Sequence, residues 1–291
     1  MKPLLASALL ALASCGAAAA GTDCAQPVHL TIDTGSQSQA QVLAEILQRH
    51  HVRANFFLAN EHTVRDDFAL DDGWADYWRA RVAEGHVFGS HTLRHGRFAR
   101  DLAGGAVEYL PQFGLDAGKK LALRPADICA ELAAVDERFV KLTGTHLAKL
   151  WRAPGGHTTP NTLAAAKACG WQHVGWSPAG FLGDELPSEQ YPNSLLVERA
   201  VRDIKPGDIV MLHMGIWSRK QAFAPALDDV LRGLEARGMC FAAVQETAAA
   251  SRRPMSLARA AGERGTGRGA DGGVRERPSA DGRFPPIKDR N

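Results

Sequence analysis

The strongest constraint on this chain is an alternation of short apolar runs with segments of helical spacing, kept up from residue 28 to residue 244. The apolar runs fall at 28–32, 54–58, 86–89, 150–152, 173–176, 209–212 and 240–244. Between them, 39–50, 77–83, 128–142, 162–169, 194–201 and 225–237 repeat apolar residues at helical intervals; in the first, Val42, Leu43, Ile46 and Leu47 share one face. The runs are short and show no clear apolar–polar alternation, as strands covered on both faces require. Strand and helix taking turns about seven times predicts an α/β fold, an irregular or incomplete (β/α)7 barrel. Residues 100–125 are Gly-rich and less regular, and are read as an insertion that shapes a groove or caps the barrel.

Composition bears on the ends and on partners. With 34 Lys and Arg against 32 Asp and Glu, the net charge of +2 excludes a generic polyanion binder, and no nucleic-acid partner is expected. Residues 251–291 hold ten of the basic residues and five acids, are rich in Gly and Pro, and show no apolar periodicity. They read as a disordered basic tail, a solvated extension or a loose electrostatic attachment to envelope polymer or membrane headgroups. At the other end, Lys2, the apolar stretch 4–12 and the small residues 17–20 have the order of a cleaved signal peptide over 1–20. Leu12-Ala13-Ser14-Cys15 offers a second reading, a lipoprotein signal with Cys15 as the lipidated first residue. The chain is therefore expected outside the cytoplasm, in the periplasm or the extracellular space, with residues 21–250 as the folded barrel.

Cys24, Cys129, Cys169 and Cys240 remain after either processing route. An even number in an exported chain is compatible with two disulfides and three pairings. Cys24 precedes the first strand and Cys240 lies in the last; if the sheet closes these come together, so Cys24–Cys240 is the preferred pair. Four buried thiols are the alternative. No Cys-x-x-Cys suggests zinc thiolate.

In barrels of this kind reactive side chains sit at the carboxyl ends of strands. Four such ends carry polar groups: Asp33 in Leu30-Thr31-Ile32-Asp33-Thr34-Gly35, His91 and His95 after the third strand, Arg152 in Trp151-Arg152-Ala153-Pro154-Gly155-Gly156, and His213 after Met211-Leu212. Each has a plainer use. An Asp before Gly forms turns, an Arg pairs structurally, a His sits satisfied in a core, and a lone His-x-x-x-His more often decorates a surface than binds metal. On a helical turn, though, such a pair shares one face and reaches one metal ion.

Taken in order, these residues resemble the polysaccharide deacetylase family, the NodB-like carbohydrate esterases of family 4, over roughly 27–245. Thr31-Ile32-Asp33-Thr34-Gly35 matches the family's TFDDG; His91-Thr92-Leu93-Arg94-His95 matches H-[ST]-x-x-H; Arg152-Ala153-Pro154-Gly155-Gly156 matches R-x-P-x-G; Leu212-His213 matches the Leu-x-His strand end with the two residues adjacent. Trp176 and Asp184 lie in the region of a further Asp- and Trp-containing motif. The resemblance implies metal-dependent removal of an N-acyl group, usually acetyl, from an amino sugar in an envelope glycan or chito-oligosaccharide. It makes His91 and His95 metal ligands, Asp33 the base, Arg152 the group that orients Asp33, and His213 the general acid. Two imidazoles plus oxygen suit zinc best, with cobalt, nickel and manganese compatible. Trp217 and Trp176 are candidate sugar-stacking platforms, with Trp176 rather a core residue.

Thr34 departs from the family pattern, which has a metal-binding Asp there. Three readings follow. Asp33 itself coordinates the metal and the base role passes to another group or to a bound hydroxide; water fills the vacancy; or the chain is a carbohydrate-binding relic that has lost metal and chemistry.

Overall fold

The computed structural model of the protein describes residues 24–244; the expected leader (1–20), Cys15 and the tail (251–291) lie outside the described residues. Ten strands and six α-helices follow one another: β1 (Pro27–Asp33), α1 (Ala40–Arg49), β2 (Asn55–Leu58), α2 (Ala75–Ala83), β3 (Val87–Ser90), β4 (Arg97–Asp101), β5 (Val107–Leu110), β6 (Leu121–Leu123), α3 (Pro125–Thr143), β7 (Leu150–Trp151), α4 (Pro160–Ala168), β8 (Gln172–His173), α5 (Asn193–Asp203), β9 (Ile209–His213), α6 (Leu227–Ala236) and β10 (Cys240–Phe241).

The main sheet is parallel throughout. β1 pairs with β9 and with β2, and the sheet continues through β3, β7 and β8, while β10 joins the first residues of β1. From β8 back to β9 the circuit is completed by an irregular segment: Ser177 N–H donates to Ile209 O at 3.0 Å, Leu182 N–H donates to Met211 O at 3.3 Å, and Phe181 bridges Met211. This is the irregular barrel that the alternation predicts, of the NodB type that the resemblance implies. The walls are buried on both faces, as the uniformly apolar runs require; Val28, Leu30, Ile32, Phe56 and Leu58 are all essentially inaccessible.

The helices carry their own stop and start signals. Pro125 opens α3, where Arg124 and Asp127 cap each other, and Gly144 ends it at φ 77°, a left-handed conformation that costs glycine little. Thr159 caps α4 by accepting from Thr162 N–H. The apolar face of α3 lays Phe139 against Phe88 of β3, with ring centroids 4.6 Å apart, and Trp78 of α2 joins the same cluster. Burial of each such ring stabilises the fold by about 1.5–3 kcal/mol. No described helix is long and apolar enough to cross a membrane.

Three expectations need correction. Residues 100–125 are not an irregular insertion: β4, β5 and β6 form a three-stranded antiparallel sheet. Its strands are short and broken by Gly104, Gly105, Gly114 and Gly118, so their alternation is hard to see, although Val107 and Tyr109 are buried on one face. The strand expected over 173–176 ends at His173, because the carbonyls of Val174 and Gly175 turn to the Arg152 guanidinium instead of the ladder. The last strand stops at Phe241 rather than 244.

The cysteines are paired. Cys24–Cys240 staples the lead into β1 to β10, with Cα atoms 5.9 Å apart, and Cys129–Cys169 ties α3 to the end of α4 at 6.1 Å. Removing Cys129–Cys169 by the double Cys→Ala change is expected to cost about 2–4 kcal/mol of unfolding free energy, read from urea titrations. The geometry around His213, read by its imidazole NMR shifts, is expected to stay as it is, since this bridge sits among helices.

Candidate active site

The site begins where β1 and β9 end. Their register sets Asp33 opposite His213, so a carboxylate and an imidazole from opposite ends of the sequence become neighbours. The loops beyond are held together by close backbone contacts: Met214 N–H donates to Asp33 O at 3.0 Å and Ser36 N–H to Gly215 O at 2.9 Å. Gly35 is required there, because a Cβ on it would stand 2.4 Å from Gly215 O.

Arg152, fully buried just beyond β7, reaches back across the barrel mouth. Its Nη1 donates to Asp33 Oδ1 at 2.8 Å, Nε to Val174 O at 3.1 Å and Nη2 to Gly175 O at 3.0 Å. Phe57 lies under the guanidinium at 4.4 Å, and Trp176 flanks it at 5.5 Å. Burial alone would raise the Asp33 carboxyl, but Arg152, helped by His91 and His213, brings it below its ordinary value. Asp33 is therefore an ionised, oriented carboxylate.

The two histidines of the second motif meet this carboxylate. His91 Nδ1 is hydrogen-bonded to the Arg152 backbone carbonyl at 3.0 Å, which makes Nδ1 the protonated nitrogen. Nε2 then carries the lone pair and stands 3.7 Å from Asp33 Oδ2. Burial, with His95 and Arg152 adding to it against Asp33, pushes His91 down to about 3, so the ring is neutral at physiological pH. The His95 ring lies 4.9 Å from that of His91. Its Nδ1 contacts Gln112 Oε1 at 2.6 Å, so the antiparallel sheet's far loop steers this imidazole. The pair does not sit on a helical turn, as the spacing suggested. Thr92 and His95 have φ of 63° and 47°, and the segment is an irregular turn that brings the rings together by a different route. Among the described residues, no three His, Cys, Asp or Glu side chains close on one point as a ready-made metal cage. The donor chemistry nonetheless suits a divalent cation: two imidazoles, one held neutral by burial, beside an ionised carboxylate.

Thr34 is buried and faces elsewhere. Its hydroxyl oxygen accepts the Ala59 N–H at 3.0 Å, capping the end of β2. The position that resembles a ligand position thus serves the backbone here.

His213 is held between two carboxylates. Asp184 Oδ2 accepts the His213 backbone N–H at 2.7 Å and faces Nδ1 at 3.2 Å, while Glu185 Oε1 faces Nε2 at 3.1 Å. Burial pulls the imidazolium down, but Asp184 and then Glu185 and Asp33 outweigh it and push His213 up to about 10. A cavity of about 180 Å³ opens beside it, walled by Asp184, His213, Gly215, Ile216, Lys220 and Phe223 among others.

The aromatic candidates separate. Trp176 is half-buried and packs over the Pro154-Gly155-Gly156 turn and Arg152, a wall of the site. Trp217 is 62% exposed and stacks on His62, with ring centroids 6.0 Å apart. Sequence reading missed Glu185 and Gln112. Glu185 directly follows Asp184, and that adjacency was the one available signal; Gln112 had none, because its contact crosses from a strand loop to a turn.

Known proteins resemble this chain in sequence and in fold. A family model described as polysaccharide deacetylase matches residues 20–174, just over half the chain. A peptidoglycan-N-acetylglucosamine deacetylase of Bacillus cereus is 28% identical over 225 residues, covering 75% of this chain and 86% of its own. Among solved structures, a family 4 acetyl xylan esterase from Clostridium thermocellum in complex with a cobalt ion is 20% identical, with a TM-score of 0.59, covering 79% of this chain and 93% of that one. A protein described as a CE4 family pseudoenzyme from Bacillus anthracis superposes with a TM-score of 0.55 at 19% identity, covering 76% of this chain and 64% of that one.

Two predictions follow from the charges. Arg152→Met leaves the buried Asp33 carboxyl without its guanidinium partner, with an expected loss of about 3–5 kcal/mol in urea unfolding. Because His213 is raised in the folded state from 6.5 to about 10, its stabilisation is fully present below pH 6.5 and is lost as the pH climbs through 10. Urea midpoints measured from pH 6 to pH 11 should fall across that window, and His213→Gln should flatten the fall.

Proposed function

The chain belongs to the polysaccharide deacetylase family, and from that premise we propose that it is an exported hydrolase that removes an N-acetyl group from an amino-sugar glycan of the cell envelope. The carrying observation is the convergence of four separate motifs on one barrel mouth: Asp33 touches Arg152 and faces His91, and stands in register with His213. Fold alone would not support this reading, since one architecture hosts many activities and, in its described relatives, both an esterase and a pseudoenzyme. Action outside the cytoplasm is supported by the leader-like order of residues 1–20 and by two disulfides.

His91, His95 and Asp33 are the residues that would hold a divalent cation, zinc being the best match to two imidazoles and a carboxylate. Such an ion, when bound, polarises an acyl oxygen and acidifies water. The rest is done by the chain's own groups. Arg152 fixes the Asp33 carboxylate and keeps it ionised. Asp184 orients His213 through Nδ1 and stabilises its imidazolium. His213 then holds a proton on Nε2, the nitrogen turned toward the cleft carboxylate Glu185, and delivers it to the amine as the C–N bond breaks. The neighbouring cavity has room for a small acyl group, and exposed Trp217 offers a face for a sugar ring.

One observation favours a second reading, a glycan-binding protein without turnover. Thr34 brings no carboxylate, and its hydroxyl oxygen is engaged by Ala59 N–H.

Metal content and hydrolysis of N-acetylated chito-oligosaccharide, measured together over a series of zinc, cobalt, nickel and manganese concentrations, separate the two. The hydrolase reading expects turnover that rises with occupancy and drops at least about 100-fold in Asp33→Asn. Thr34→Asp, which restores a carboxylate, is expected to tighten metal binding and raise turnover. Glycan binding unchanged by chelator, with no turnover in any metal, establishes the binding protein instead.

A further inference from the structure

Asp33, Asp184 and Thr34 at the barrel mouth are committed. Asp33 gives Oδ1 to Arg152 and turns Oδ2 to His91. Asp184, 3% exposed, spends its carboxylate on the His213 backbone and on Nδ1. The Thr34 hydroxyl oxygen is bound by Ala59 N–H. Glu185 differs. It lies in the turn between β8 and α5, its side chain is one-third exposed, and its carboxylate meets His213 Nε2 at 3.1 Å. From that place it also feels the charges of Asp184, Asp33 and His95, within electrostatic range of both the acid and the imidazole–carboxylate group.

We propose that Glu185 is a catalytic residue of the hydrolase described above, the carboxylate that takes the proton from the attacking water. This inference rests on the deacetylase reading. It supplies the group that takes over as base when Asp33 serves as a ligand in place of the carboxylate absent at Thr34. The steps balance. Water loses one proton to a Glu185 oxygen as its own oxygen bonds to the acyl carbon. The C–N bond then breaks, and the proton on His213 Nε2 goes to the departing nitrogen. The products are the free amine and a carboxylic acid, leaving Glu185 protonated and His213 neutral. The direct Glu185–His213 contact closes the cycle, because the proton passes from Oε1 to Nε2 and restores both groups without outside help. Proton affinity is also suited to the task. Burial raises the Glu185 carboxyl, against the opposing charge of His213, which makes it a stronger base than an exposed carboxylate. Asp33, held down by Arg152, is the weaker base.

The test uses the full chain, metal-loaded, as wild type, Glu185→Gln and Glu185→Asp. Metal stoichiometry, near-UV circular dichroism and the pH dependence of kcat and KM are read on N-acetylated chito-oligosaccharide. The expected result is a loss of about 100-fold or more in kcat for Glu185→Gln. KM, metal content and circular dichroism should be unchanged, the rise of kcat/KM with pH should disappear, and Glu185→Asp should recover part of the rate. Glu185→Gln with kcat within twofold of wild type and an intact pH profile overturns the assignment while leaving the hydrolase reading standing. Loss of metal from Glu185→Gln overturns it too, since Glu185 is then a ligand. A wild-type chain that turns over no acetylated oligosaccharide in any metal removes the hydrolase reading, and this inference with it.

Discussion

The buried pair of Asp33 and Arg152 is the contact on which the rest of the barrel mouth depends. A carboxylate and a guanidinium, both essentially inaccessible to water, carry a desolvation cost of several kcal/mol each. Here the cost is offset because each of the three guanidinium nitrogens has an acceptor and because the chain lends its backbone to the task. The carbonyls of Val174 and Gly175 leave the ladder after β8 to receive Nε and Nη2, and the carbonyl of Arg152 itself orients His91. One residue thus fixes the tautomer of a histidine, the charge of an aspartate and the point at which a strand ends. A buried pair of this kind is a poor way to gain stability and a good way to gain a single arrangement.

The architecture was legible because parallel strands covered on both faces leave an apolar signature that needs no partner to be recognised. The β/α alternation located β1, β2, β3, β7 and β9 and all six helices to within a few residues, and the strand-end rule pointed to Asp33, His91, Arg152 and His213. What escaped was whatever depends on contacts distant in sequence. β4, β5 and β6 make an antiparallel sheet whose alternation is only three to five residues long and is punctuated by glycine, below what a pattern can declare. The geometry of His91 and His95 escaped as well, since their spacing suits a helix while two left-handed residues make it a turn. Glu185 left only the faint signal of its place beside Asp184, since an acid beside an acid in a loop usually faces solvent; the return of β9 places an imidazole nitrogen on it.

Thr34 shows how a buried hydroxyl can serve the backbone at the end of a strand. Beside it stands a strand whose last peptide, at Ala59, needs an acceptor, and the hydroxyl provides one. Electrostatically the mouth is rich in carboxylate, because Asp184 and Glu185 meet the two ring nitrogens of His213, which is charged between them.

Of the two imidazoles of the second motif, one is steered by the barrel wall and the other by an appendage. His91 takes its orientation from the Arg152 carbonyl, whereas His95 is aimed by Gln112, at the far loop of a three-stranded ribbon laid over the barrel. Such a division makes the site adjustable in halves. Insertions, deletions or a change of loop residue in the ribbon alter the pitch of one ring without touching the sheet that positions the other, so the aperture can drift over evolutionary time while its anchor stays put.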